Sequence, residues 1–458
     1  MWVLAKNRPL DALGNGRISC SRMSRSSAIA LLVAASGVGG CELLVSTDGL
    51  SGGAARVPGE GGAGDGAAID GSTTSDGPIG ADGNPSGCDG PCAPAKTIVM
   101  TAGGNHTCAL VDGVPWCWGQ NDHGQLGDGT TTNRPAPVRV GGLPAGPVTA
   151  LGSGIDHTCA VVGGDAWCWG NDSSGELGVP NVSAGIVVKV PSLPAGQVTD
   201  VKGGFAFTCA VAGGSAYCWV TNGIGQLGDG TTTSHAQPSI VNVTPFGTLA
   251  NVAQISSGND HACAVTTDGT VYCWGHSDNG VLGNPAAGAS SSAAVPVQGL
   301  PGPASRVVIG GWHACATIAA TGALWCWGTG AAGELGNGTN KNSGVAVESA
   351  LTGAVTSFDA AGGATDLDAT CAVQNGAILC WGNAQYGRLG DGLTTARSLP
   401  FTVAGLAGAI SVAGGDDHFC AASGDGAIRC WGRNAAGQLG DGTTTDRLAP
   451  ATVITTGM

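Results

Sequence analysis

The chain has 458 residues, of which 42% are apolar and only 11% charged, with a formal net charge of −14. Residues 41–458 carry 13 Lys and Arg against 31 Asp and Glu, a net of −18. Phosphate binding wants basic patches, so nucleic acid is excluded as a partner. Eighteen Cys point to an oxidising compartment.

The chain opens with an address. Met23-Ser24-Arg25-Ser26-Ser27 is a short basic start, and Ala28 to Val38 is an apolar run too short to span a bilayer. Val38-Gly39-Gly40-Cys41 then resembles the lipobox of bacterial lipoproteins, in which the Cys becomes the lipid-bearing N-terminus. The expectation is a signal peptide over 1–40, with Met23 as the true start, and lipidation at Cys41. Residues 41–95 are Gly, Ala, Ser and Asp with almost no large apolar side chain after Leu50. Such a segment buries no core, so a disordered tether is expected, averaging about 40 Å end to end. Cys88-Asp89-Gly90-Pro91-Cys92 closes it, with spacing suited to a small local disulfide between Cys88 and Cys92 rather than a redox Cys-x-x-Cys.

From residue 96 the chain writes one pattern seven times: a Cys, a short turn, a second Cys, a Trp, and Gly-x-Leu-Gly six residues on. The pairs are Cys108 and Cys117, Cys159 and Cys168, Cys209 and Cys218, Cys263 and Cys273, Cys315 and Cys326, Cys371 and Cys380, and Cys420 and Cys430. Successive copies of the Trp, from Trp118 to Trp431, are 50 to 55 residues apart. A fixed period of this size means a solenoid or a propeller.

Local structure follows from the Cys spacing. Asp112-Gly113 between apolar runs predicts a type I′ hairpin that sets Cys108 opposite Cys117 at a non-hydrogen-bonded site, within disulfide reach. Gly163-Gly164, Gly213-Gly214 and Asn375-Gly376 repeat this arithmetic, and the longer turns of copies four, five and seven preserve it. Seven cross-strand disulfides are therefore expected. Free buried thiols have no need of a mirror partner, and two Cys are too few for a structural zinc.

Copies of this length, rich in strand and Gly-turn signals, fit blades of about four short strands. The fold class expected is all-β: a seven-bladed β-propeller over 96–458, with intrablade disulfides. The matching ends, Pro450-Ala451-Thr452-Val453 and Ile98-Val99-Met100-Thr101, suggest a ring closed by pairing the two termini in one sheet.

His106-Thr107-Cys108-Ala109-Leu110, Cys117-Trp118-Gly119-Gln120-Asn121 and Gly124-Gln125-Leu126-Gly127-Asp128-Gly129-Thr130 resemble repeats of the regulator of chromosome condensation family. That family includes β-lactamase inhibitor protein II. The resemblance covers about 97–453 and implies a seven-bladed propeller, while function stays open because fold alone does not decide it.

Two constellations invite chemistry. His106, His157, His261, His313 and His418 recur two residues before the first Cys, while Phe207 and Ala369 stand there in the other two copies. A metal ring would place its ligands far apart, so each His is expected to bond its own backbone. Asp128, Asp229 and Asp441 open Asp-Gly-Thr loops. One Asp per loop is too few for calcium, which wants about six oxygens, so a self-bonded turn is expected. No catalytic, cofactor-binding or metal residue is named. The variable connections 179–186, 244–251, 284–294 and 337–343 are where binding is expected, as loops on a rigid scaffold generally carry it.

The reading is a lipid-anchored binding module in the bacterial cell envelope, periplasmic or surface-exposed. It meets the membrane through its anchor and holds a protein or glycan partner on a propeller face, as β-lactamase inhibitor protein II holds its target. It needs no cofactor and is not an enzyme. The alternatives are an extracellular propeller enzyme acting on polysaccharide, which a cluster of carboxylates, His and Arg at one end of the channel would favour, and a GTPase exchange factor.

Overall fold

The computed structural model describes residues 96–180, 182–244, 247–363 and 368–458. The expected leader and tether, with Cys41, Cys88 and Cys92, lie outside the described residues.

Blade one is a meander of β1 (Ile98–Ala102), β2 (His106–Val111), β3 (Val114–Gly119) and β4 (Arg134–Arg139). The strands are antiparallel and lie in chain order. Six further four-stranded sheets of the same order follow over 148–189, 198–240, 252–296, 304–348, 355–402 and 409–452. The first strands of successive blades contact one another around the ring and line its central cavity.

The hairpins obey the turn chemistry. Asp112 and Gly113 have φ of 49° and 80°, as a type I′ turn requires. Cys108 then pairs with Cys117 and Ala109 with Trp116. All seven expected disulfides are present, each inside its own hairpin. Cys108 is joined to Cys117, Cys159 to Cys168, Cys209 to Cys218 and Cys263 to Cys273. Cys315 is joined to Cys326, Cys371 to Cys380 and Cys420 to Cys430. Their Cα atoms stand 4.0–4.1 Å apart whether the turn between them is short or long. The register holds the two Cys opposite each other, and added turn residues bulge outward beyond it.

Alternation along the third strand then builds the junctions between blades, because Cys and the following Trp point to opposite faces. Cys108, Leu110 and Cys117 of blade one pack against Leu151, Ala160 and Trp169 of blade two. The seven Trp are all fully buried, and each contributes about 4–6 kcal/mol of transfer free energy before entropic costs.

Ring closure differs from the expectation. Residues 447–452 complete blade seven and β1 completes blade one, so neither terminus adds a strand to the other's sheet. The sequence copies are in phase with the blades, which leaves no strand missing. Closure instead uses an ordinary junction, with Cys420, Cys430 and Leu439 packed on Ile98, Ala109 and Trp118.

Candidate functional site

The repeated polar residues lock each blade to the next. Every junction Trp donates its indole N–H to the carbonyl of x in the preceding blade's Gly-x-Leu-Gly. Trp118 bonds Gln438, Trp169 Gln125, Trp219 Glu176, Trp274 Gln226, Trp327 Val281, Trp381 Glu334 and Trp431 Arg388, at 2.8–3.0 Å. The closing Gly lets the indole approach. A Cβ on Gly127, at φ +67°, would stand 2.8 Å from Trp169 Nε1. The fixed distance from Trp to Gly-x-Leu-Gly is thus a condition of docking.

The recurrent His belong to the same lock, and their partner is not their own backbone. His106 Nε2 meets Thr158 Oγ1 at 2.9 Å, His157 meets Thr208, His313 meets Thr370, and His418 meets Thr107 across the ring seam. Each Thr hydroxyl donates onward to the x carbonyl at 2.8–3.0 Å. The His therefore donates from Nε2. Burial holds His106 and His418 down to about 3 and His157 to about 4, so these rings are neutral.

The copies that lack His are matched across the junction. Phe207 faces a blade with Ala262 in place of Thr, and Ala369 one with Phe419. Only His261 meets Ala314 without compensation, and both of its ring nitrogens are buried without a partner.

The Asp-Gly-Thr loops close on themselves as expected. Asp128 Oδ1 accepts from Thr130 N and Oγ1 and from Asn121 Nδ2, and Oδ2 accepts from Arg134 Nε at 2.8 Å. These hydrogen bonds hold its carboxyl below the usual range against the cost of burial. Asp441 is held the same way by Thr443 and Arg447, and Asp229 by Thr231 and His235. Among the described residues no group of three or more His, Cys, Asp or Glu is arranged to hold a metal.

The central cavity, lined by first strands and the loops after them, has a volume of about 130 Å³. Its polar side chains are largely spent bridging neighbouring first strands. Gln254 exchanges two bonds with Val307, Asp200 accepts from Ile255 N, and Asp359 accepts from Gly414 N. At one mouth the loops themselves join, through Gly104 N to Ile155 O, Asp416 N to Gly104 O, and Asn259 Nδ2 to Gly363 O.

Charge concentrates at that mouth. Arg388, fully buried at an x position, donates to Asp417, which Arg433 also pairs at 3.1 Å. Arg433 lies over the ring of Tyr386, 5.0 Å from its centroid. Beside them, burial and then the charge of Asp417 push the Asp416 carboxyl up to about 7, against the pull of Arg388. In the sequence, the signals of this cluster are Arg388 in place of Gln at x and the Asp416-Asp417 doublet.

By the meander order, loops from first to second and from third to fourth strands share one rim, which also holds Gly-x-Leu-Gly. The described residues of 179–186, together with 284–294 and 337–343, lie there, whereas those of 244–251 are on the opposite rim. Two of these loops are less free than expected. Leu249 and Ala294 are core residues, and Asn284 caps the turn Pro285–Ala287. Ile186, by contrast, is 52% exposed.

Sequence profiles described as Regulator of chromosome condensation (RCC1) repeat match residues 112–161, 213–265, 268–317 and 375–422, and also 252–281 and 409–438. The chain is 29% identical over 342 residues to the ultraviolet-B receptor UVR8 of Arabidopsis thaliana, covering 72% of this chain and 64% of that protein. It is 29% identical over 317 residues to the E3 ubiquitin-protein ligase HERC2 of Homo sapiens, covering 68% of this chain and 5% of that protein. The chain thus spans less than two thirds of either relative. Prp20p from Saccharomyces cerevisiae superposes with a TM-score of 0.65 at 20% identity, covering 79% of this chain and 88% of that one. Human WBSCR16 does so at 0.64 and 20%, covering 74% and 93%. At such identity these two speak for the fold alone. The matched stretches, set in seven blades of one register and joined by the Trp and Gly-x-Leu-Gly of each copy, show that this chain carries regulator of chromosome condensation repeats.

Proposed function

We propose that the propeller is a binding module that presents the rim carrying Gly-x-Leu-Gly to a protein partner, and that a lipid on Cys41 holds it at the bacterial cell envelope. The observation that carries the binding reading is how the polar repeat residues are used. His, Thr, Trp and Asp of the copies are spent on blade junctions and loop closure. The central cavity, at about 130 Å³, is well below the roughly 300–1,000 Å³ of small-ligand pockets. What is left to differ between blades is the rim loops, which is where a rigid scaffold places specificity. The envelope address rests on the lipobox-like Val38-Gly39-Gly40-Cys41 and on the Cys content.

The test replaces 179–186 by the corresponding loop of blade seven and compares partner capture and melting temperature with the wild type. The expected result is loss of a partner without a change in melting. Equal capture by both proteins, repeated for 337–343, refutes rim-loop specificity. A basic partner should also associate more slowly as salt rises, given the acidic chain.

A second reading is favoured by the mouth cluster. Asp416, Asp417, Arg388 and Arg433 are the carboxylate and Arg grouping that an extracellular polysaccharide-acting enzyme would use. Against it, Arg388 is fully buried and Asp417 is paired by two Arg. Turnover of a glycan that Asp416→Asn abolishes would establish the enzyme. Prp20p is described by its binding to Gsp1p and histones, but a GTPase-regulator reading of this chain rests on fold alone.

A further inference from the structure

At three junctions the side chain of x in Gly-x-Leu-Gly reaches the next blade as a donor. Gln438 accepts Ala436 N–H at Oε1 and donates from Nε2 to Asn105 Oδ1 at 3.0 Å. Gln125 accepts His123 N–H and donates to Asp156 Oδ1 at 3.4 Å. Arg388 donates to Asp417. Asn105, Asp156 and Asp417 occupy one repeat position, directly before the recurrent His.

The junction of blades five and six repeats this construction without the donor. Glu334 Oε2 accepts Ala332 N–H at 2.9 Å, so Oε1 takes the place of the Gln amide nitrogens. The residue at the facing position is Asp368. Both side chains are fully buried. Asp368 Oδ2 accepts Trp312 N–H at 2.6 Å and meets His313 Nδ1 at 2.9 Å. Glu334 Oε1 and Asp368 Oδ1 have no hydrogen-bond partner. Two acceptors thus occupy the repeat positions where other junctions have a donor and an acceptor, and burying two carboxylates at one junction disfavours the state in which both are ionised.

We propose that Glu334 and Asp368 are a proton-binding site, an acid pair that holds one proton between Glu334 Oε1 and Asp368 Oδ1 and so fastens blade five to blade six. The titratable and charged groups around it are His313, which contacts Asp368, and Arg388 and Asp416, which both feel the Asp368 charge. Burial is the first cause that raises the Glu334 carboxyl. The Asp368 charge adds to it, while the Ala332 N–H and His313 oppose it.

Glu334 titrates higher folded than unfolded, so its contribution is complete below the unfolded value and is lost as pH rises through the folded one. Glu334→Gln supplies a permanent donor and should remove this dependence.

The experiment follows thermal unfolding of the full chain between about pH 4 and pH 8. Wild type, Glu334→Gln and Asp368→Asn are compared with Glu176→Gln, whose buried carboxyl has the same motif position but faces Ala206. Glu334→Gln should melt about 1–3 °C above wild type near pH 8 and converge with it near pH 4. Asp368→Asn should likewise lose the pH dependence, and Glu176→Gln should track wild type throughout. Parallel curves for wild type and Glu334→Gln overturn the proposal. So does a fall in wild-type melting on adding EDTA, which would assign the pair to a bound cation instead.

Discussion

Ala314→Thr should stabilise the protein. At four junctions a Thr at this position accepts from the preceding blade's His and donates to the x carbonyl. At the junction of blades four and five Ala314 cannot, and His261 is left fully buried with neither ring nitrogen bonded. Burial first, then the charges of His276 and His313, hold that ring down to about 3, so it is neutral and has one N–H to place. An unmet buried donor costs about 1–3 kcal/mol. The new hydroxyl recovers part of this and finds the Val281 carbonyl, which already accepts from Trp327 Nε1 at 2.9 Å. Fitting two extra heavy atoms offsets some of the gain, which leaves a net of about 1 kcal/mol. The assay is the denaturant midpoint at unchanged m-value. Two controls bracket it. Thr158→Ala creates the same defect at His106 and should cost about 1–2 kcal/mol. His261→Phe copies the Phe207 and Ala262 pairing and should be neutral or stabilising. If Ala314→Thr lowers the midpoint while Thr158→Ala also lowers it, the lock is not transferable between blades and the reasoning fails.

Two further outcomes are open to direct measurement. Non-reducing peptide mapping should find each of the seven pairs joined within its own hairpin, and removing one pair should cost at most about 2–3 kcal/mol by the loop-entropy relation. A link between Cys of different blades would contradict the register. Mature protein should begin at Cys41, carry acyl chains and partition into detergent, and Cys41→Ser should release it or leave it uncleaved. Recovery of the wild type from cytoplasm with free thiols would remove the envelope proposal.

The hairpins were legible because their determinants are local. Asp112-Gly113 sets the turn, the turn sets the register, and the register sets Cys108 opposite Cys117, all within 9 residues. The same local logic placed Cys168, Cys218, Cys273, Cys326, Cys380 and Cys430 opposite their partners. The blade count and the Trp core follow from repetition of that unit. What each His is for was not legible. The partner of His106 is Thr158, 52 residues away in another sheet, and no hairpin determines how its neighbour sits beside it. A bond from His to its own backbone is the partner one copy alone offers, whereas the actual partner stands across the junction. The exchange of His for Phe207 and Ala369 was visible, but its match to Ala262 and Phe419 exists only once the blades are placed side by side. The same holds for Glu334 and Asp368, which are 34 residues apart in the chain and are both buried at one junction. Local turn chemistry and strand alternation thus determined the blades, while the docking of one sheet on the next, where desolvation makes each unmatched polar atom costly, decided which residues became partners.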